Sequence, residues 1–359
     1  MAAMGSEIRD IEGGVPLAVS LRGEEIENVH YGHIAVVQAD GHVTAWTGDP
    51  NVVTYMRSTA KPIQAIPIVQ SGVMEAFGLP EAAIAMMAAS HRGEQAHIEM
   101  LETMLKLTGV QERELVFHAG LPLDPDARDA YIRAGGSPRK LFHNCAGKHI
   151  GLLAACRLRG WPTQGYADPD HPIQQNIKRL VAGIANVPAS ELAGGFDGCG
   201  LPVYAMPLRK LAGLYARLAS PDALPDIDAD GAIRPVVERI AGAMNGRPDL
   251  VEGTGRLASL LLGDPNVLAK SGAQGVFAIG LRRERLGIVV KLSDGTETAW
   301  PVVVSEALRQ LSGYGWMDNR TAEAMCERIE QAFPAEMAND AGRTIGRREA
   351  VFQLAGSSV

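Results

Sequence analysis

The chain has 359 residues, 46% hydrophobic and 21% charged, so it can bury a large core and has an ordinary globular composition. A formal net charge of -7 argues against nucleic acid or an anionic membrane surface as main partner. No apolar run nears the roughly 20 residues of a membrane span, and MAAMGSEIRDIEGG carries acids where a signal peptide needs an apolar core. A cytoplasmic location is expected, where the four cysteines stay reduced and serve as metal ligands or buried thiols.

In chain order, HIAVVQADGHVTAWTGD (His33–Asp49) is two strand-like runs around an Asp40-Gly41 turn, which predicts a hairpin. Next comes YMRSTAKPIQ (Tyr55–Gln64), where Pro62 is tolerated only in the first turn of a helix. Ser58 therefore falls at or just before that turn, with Lys61 three residues on. Ile98, Leu101 and Leu105 predict a helix, as do Ile173, Ile177, Leu180, Val181 and Ile184, with Asp170 and Pro172 placed to start it. Leu208, Leu211, Leu214, Tyr215 and Leu218 form a third stripe. All three read as core packing. Ser220–Gly231 is Pro/Asp-rich and reads as an exposed loop, and Gln274–Leu281 with Gly287–Gly295 predicts a second hairpin. The implied α/β fold is of the α+β type, one domain over 1–359. Its antiparallel sheet comes from about 15–70 and 266–359, with a mainly helical insertion over about 71–265.

Ser58 and Lys61 allow two readings, a helix cap or a nucleophile with its base. Ser-x-x-Lys alone decides little, since Ser137-Pro-Arg-Lys140 repeats it in a Gly/Pro-rich stretch. Lys270-Ser271-Gly272, just before a strand, adds the K-S-G element. With S-x-x-K it marks serine β-lactamases and penicillin-binding proteins. A lysine acts as base only when neutral, so its ordinary pKa of about 10.4 must fall by about three units, roughly 4 kcal/mol. Burial and a second cation, Lys270, are the expected causes. By analogy, backbone N–H groups at Ser58 and near Ala273 form the oxyanion site. No S-D-N element lies between the motifs; MMAASHRGEQAH offers Ser90 there, followed by His91 and Arg92. No deacylating glutamate stands in the right order either.

In LFHNCAGKHIGLLAACRLRG, Cys145 precedes an apolar helical run that has Lys148 and His149 in its first turn. Cys156, deeper in that run, reads as a structural thiol, and Cys326 as core or surface. GGFDGCGLPVY holds Cys199 between two glycines. Two such cysteines could bind one zinc with His149 as nitrogen ligand, or be plain reduced thiols in loops.

Taken in order, MRSTAKPIQ, SHRGE, HNCAGKH, DGCGLP and AKSG resemble the class 3, rhizobial-type L-asparaginases of the asparaginase II family. The resemblance spans nearly the whole chain. It implies a serine-β-lactamase-like fold, a homodimer, and hydrolysis of L-asparagine to L-aspartate and ammonia. It makes Ser58 with Lys61 one Ser–Lys pair and Ser90 with Lys270 a second, leaving open which serine forms the ester. It implies one zinc (Zn2+) per chain on Cys145, Lys148 and Cys199, which moves the nitrogen ligand to Lys148 and leaves His149 beside the substrate. Arg57 and Asp197 become further substrate-site positions. Ala146 departs from the family pattern, which has serine there. The competing readings are a β-lactamase or D,D-peptidase-like acyltransferase on the same serine, a zinc-water amidohydrolase, and a non-catalytic zinc-stabilised binding protein.

Overall fold

The computed structural model describes residues 14–227 and 233–356, so part of the predicted 220–231 loop lies outside the described residues. The chain forms two compact units. One takes residues up to 59, 205–223 and 269 onward; the other takes 60–204 and 224–268.

The first unit is built on an antiparallel sheet to which both ends of the chain contribute. Its strands run in the order Glu336–Ala338, Thr344–Ala350, Val15–Arg22, Glu25–Gln38, Leu286–Leu292, Val276–Leu281 and Val267–Gly272. Both predicted hairpins are present. At the first, Gly41 takes φ 99° and donates to Gln38 O at 2.9 Å, closing the turn into strand Val43–Thr47. The strand before it starts earlier than the hydrophobic run suggested, at Glu25, because its exposed half pairs with Val15–Arg22. Strand Val276–Leu281 is buried at every position, so both faces are covered and its sequence is continuously apolar rather than alternating.

Helix Leu208–Ala219, assigned above to the helical insertion, packs on this sheet instead. Gly287 permits it: a Cβ there would lie 1.9 Å from Ala212 O, so only glycine lets the helix backbone come that close. The α+β architecture expected of a serine-β-lactamase-like chain is thus the one observed.

The second unit is helical. Helix Pro172–Ala185 buries all five predicted apolar positions; its cap is His171 rather than Asp170, with Nδ1 accepting from Ile173 N at 3.2 Å. Helix Gln95–Thr108 also forms, but its fully buried face is His97, Leu101, Met104 and Thr108, leaving Ile98 and Leu105 half-buried. Helix Ala146–Leu158 is buried at every position from Ala146 to Cys156. A Cβ on Gly147 would lie 2.2 Å from Met86 O, so the glycine of C-A-G-K seats the helix against helix Ala82–Met87. No helix among the described residues is long and apolar enough to cross a membrane.

Candidate active site

In the sheet unit, strand Val53–Tyr55 pairs antiparallel with residues 205–207 and delivers the chain into a 3-10 turn, Arg57–Ala60. Arg57 has φ 49°, a left-handed conformation that costs a non-glycine residue of order 1 kcal/mol or more and persists only where its surroundings enforce it. The turn is held by Thr59 Oγ1, which donates to Met56 O at 2.6 Å, and by the buried Tyr215, whose hydroxyl donates to Thr59 O at 2.8 Å. Ser58, half-buried, sits inside this strained turn. It caps no helix: the N-cap of helix Lys61–Gln64 is Ala60, with no side-chain cap.

The K-S-G strand runs beside the same turn, for a Cβ on Gly272 would lie 3.0 Å from Met56 O and 3.4 Å from Arg57 Cβ. Lys270 is fully buried on that strand, and its Nζ donates to Ser271 O at 3.1 Å. Exposed Ala273 follows, and then Gln274 and Gly275 at φ 66° and 76°, the paired positive values of a type I′ hairpin turn.

In the helical unit, Lys61 is 1% exposed. Its Nζ donates to Ala89 O at 2.6 Å, Ser90 Oγ at 2.9 Å and Asn144 O at 3.1 Å. Two of these acceptors are uncharged backbone carbonyls. Ser90 is fixed by its own N–H, which donates to Val251 O at 2.7 Å. Lys61 thus joins the serine of S-H-R, a contact that neither motif predicts by itself. When Lys61 gives up a proton, its lone pair can accept one from a serine hydroxyl along such a contact. The other Ser-x-x-Lys match is structural, since Lys140 Nζ binds Leu115 O and Arg113 O.

Cys145, at the N-cap of helix Ala146–Leu158, donates its Sγ–H to Asn144 Oδ1 at 3.3 Å, and Lys148 Nζ lies 3.4 Å from Cys199 Sγ. Cys199 is held by a tight turn in which Gly200 N donates to Asp197 O at 2.9 Å and Gly198 N to Asp197 Oδ1 at 2.8 Å. The neighbouring Cys199 holds the Cys145 thiol well below its ordinary range, helped by Lys61 and Lys148. Cys199 is correspondingly pushed up, by Cys145 first and by burial second. Burial acts to lower Lys148, but the two sulfurs and Asp197 outweigh it and raise it.

Two thiols and an amine in one buried pocket suit a thiolate-preferring divalent ion. Among the described residues, no three His, Cys, Asp or Glu side chains converge on a common point, so the amine is needed to complete a third ligand. The residues present therefore fit zinc.

His149, the next residue of the helix, pairs its Nδ1 with Tyr166 Oη at 2.8 Å, its ring meets Phe117 edge-on at 4.8 Å, and its buried Nε2 has no partner among the described residues. Burial first, then Lys148, holds its pKa well below the ordinary value, so the ring is neutral. Sequence reasoning gave no role to three neighbours. His91 is fully buried beside Ser90, with Nδ1 accepting from Gly93 N at 3.1 Å. His143 accepts from Cys145 N at 3.1 Å and stacks on Phe117. Tyr166 orients His149. The only signal for the first two was polar residues placed directly against the motifs, S-H-R and H-N-C.

A family model, L-asparaginase II, matches residues 18–350. The chain belongs to the L-asparaginase II family. Membership gives it a reaction class, amide hydrolysis. Among solved structures, one titled Mglu is 16% identical, covering 80% of this chain and 68% of that one at a TM-score of 0.37. A β-lactamase from Mycobacterium bovis is 14% identical, covering 91% and 99% at 0.35. A Bacillus glutaminase is 14% identical, covering 82% and 89% at 0.33. At such TM-scores these are distant likenesses, and the assignment stands on the family match alone. No curated protein matches the chain.

Proposed function

We propose that the protein is an L-asparaginase that hydrolyses L-asparagine to L-aspartate and ammonia through a serine ester, acting as a homodimer in the cytoplasm. Beyond family membership, the reading rests on one observation: Lys61, buried and 2.9 Å from Ser90 Oγ. A buried lysine bonded to a serine hydroxyl is the equipment for moving a proton to and from a serine nucleophile.

In this scheme Ser58 Oγ attacks the side-chain amide carbon while neutral Lys61 takes the hydroxyl proton. Backbone N–H groups at Ser58 and near Ala273 receive the oxyanion. The C–N bond breaks, the leaving nitrogen takes a proton relayed from Lys61 through Ser90, and ammonia departs. Water then attacks the β-aspartyl ester, giving its proton back through the same lysine and releasing aspartate and Ser58. Asp197 accepts from the substrate α-ammonium, and Arg57 or Lys270 donates to its α-carboxylate. His149, neutral and with a free ring nitrogen, faces the substrate as a hydrogen-bonding wall. Cys145, Lys148 and Cys199 would hold zinc, which when bound supplies a positive charge that organises the pocket.

The test is ammonia release from L-asparagine, with L-glutamine for comparison, by the natural chain and Ser58→Ala. A fall of at least about 10³-fold in the variant supports the scheme. An unchanged rate moves the nucleophile to Ser90 or to metal-bound water, and no turnover of L-asparagine by the natural chain sinks the substrate assignment.

A further inference from the structure

The sheet unit contains a cavity of about 310 Å³ that has no part in the chemistry above. One wall is a single face of helix Trp300–Gly313, another is the end of helix Asn319–Ala332, and the third is the last residues of strand Thr344–Ala350. Pro301, Val302, Ile329 and Phe333 make part of the lining apolar. Ala335, Ala350 and Ser305 add small neutral surface; Glu306, Arg309, Glu330, Arg348 and Glu349 are charged, and the charges are unevenly matched.

Arg309 pairs with Glu330, which also accepts from Ser305 Oγ at 2.8 Å, and Glu349 pairs with Arg347. Two charged groups in the wall remain without an ion-pair partner among the described residues. Glu306 accepts from the neutral Gln310 amide at 2.8 Å and lies in the field of Arg309, whose guanidinium is bonded to Glu330 instead. Arg348 has a buried Nε with no acceptor. A buried donor left unbonded is costly, and native structures satisfy almost all of them. A simple anion would satisfy Arg348 but meet Glu306 in the same cavity. A simple cation would do the reverse. A zwitterion answers both.

From this juxtaposition we propose that the cavity binds a free α-amino acid with an apolar side chain. Its carboxylate accepts from Arg348, its ammonium donates to Glu306, and its side chain rests on Ile329 and Phe333. The volume is at the lower end for small-molecule pockets, which suits a ligand of this size. The site is distinct from the Ser–Lys residues and stands whether or not the substrate assigned above is right.

Isothermal titration of the full chain with L-leucine tests it. The matched probes are 4-methylpentanoate, which lacks the ammonium, and 3-methylbutylamine, which lacks the carboxylate. The expected result is saturable binding at one site per chain, weakened at least about tenfold in Arg348→Gln and in Glu306→Gln, with both probes also weaker. Ammonia release should be unchanged in the two variants, which shows that they fold. Three results would overturn the proposal: no saturable binding up to about 10 mM, 4-methylpentanoate binding as tightly as L-leucine, or binding that L-aspartate displaces and Arg348→Gln leaves intact.

Discussion

Lys61 donates to three oxygens, and those contacts constrain its chemistry. A lysine can lose a proton and keep two donors, whereas an arginine in its place stays charged. Both Lys61→Met and Lys61→Arg should therefore lose ammonia release by at least about 10³-fold. A Lys61→Arg enzyme with near-normal turnover would mean that charge alone is required there.

The buried histidines carry a second residue-scale expectation. Burial holds His91 well below its ordinary value of 6.5, with His97, Lys61, Cys145 and His143 around it. Burial also lowers His97, against Glu94 and Asp249 and with Arg247. The unfolded chain takes up protons at these rings near 6.5 while the folded one does not. Stability from these groups is thus full above 6.5 and is lost as pH falls toward the depressed folded values, by up to about 1.4 kcal/mol per ring and unit. The urea midpoint should drop between pH 7.5 and 5.5, and less so in His97→Gln. An equal drop in that variant would clear His97 of any part. At the thiol pair, Lys148 and Cys199 must both lose protons to bind a metal, so zinc affinity measured by competition with a chelator should weaken with acid. Affinity independent of pH would count against Lys148 as a ligand.

At the scale of elements, helices and turns place these groups by close approach. Helix Ala146–Leu158 carries Cys145 and Lys148 at one end, and Gly147 lets that end lie against the Met86 carbonyl. Gly147→Ala puts a methyl 2.2 Å from a backbone oxygen that cannot swing aside, so the helix must shift. The expected cost is about 1–3 kcal/mol in a denaturant titration, together with loss of bound zinc by elemental analysis. A variant as stable as the natural chain would show that the helix has room to move. The Ser58 turn depends on a different element, helix Leu208–Ala219, through the hydrogen bond from Tyr215. Tyr215→Phe removes one buried donor and leaves Thr59 O short of a partner, which should cost about 1–3 kcal/mol.

For the whole molecule, the homodimer expectation has a direct check: sedimentation equilibrium should give twice the chain mass at micromolar concentration. Legibility at this scale was uneven. The two hairpins and three helices could be read because a strand with a tight turn, or a stripe at helical spacing, is written in adjacent residues. Helix Leu208–Ala219 was read as a helix but assigned to the wrong unit, since nothing within its own residues says what it packs on. Gly287, almost seventy residues away, decides that.

The candidate site divides the same way. Sequence alone determined the inventory: Ser58, Lys61, Ser90, the K-S-G strand, two glycine-flanked cysteines and a lysine near one of them. It determined the family too, because those short motifs occur together in a fixed order. Only the tertiary structure decided that Lys61 meets Ser90, that Lys148 meets Cys199, and that Ser58 sits in a strained turn rather than at a helix cap. Each of those facts depends on a distance between groups far apart in the chain or on a backbone angle. Residue identities constrain such quantities only after the core has packed.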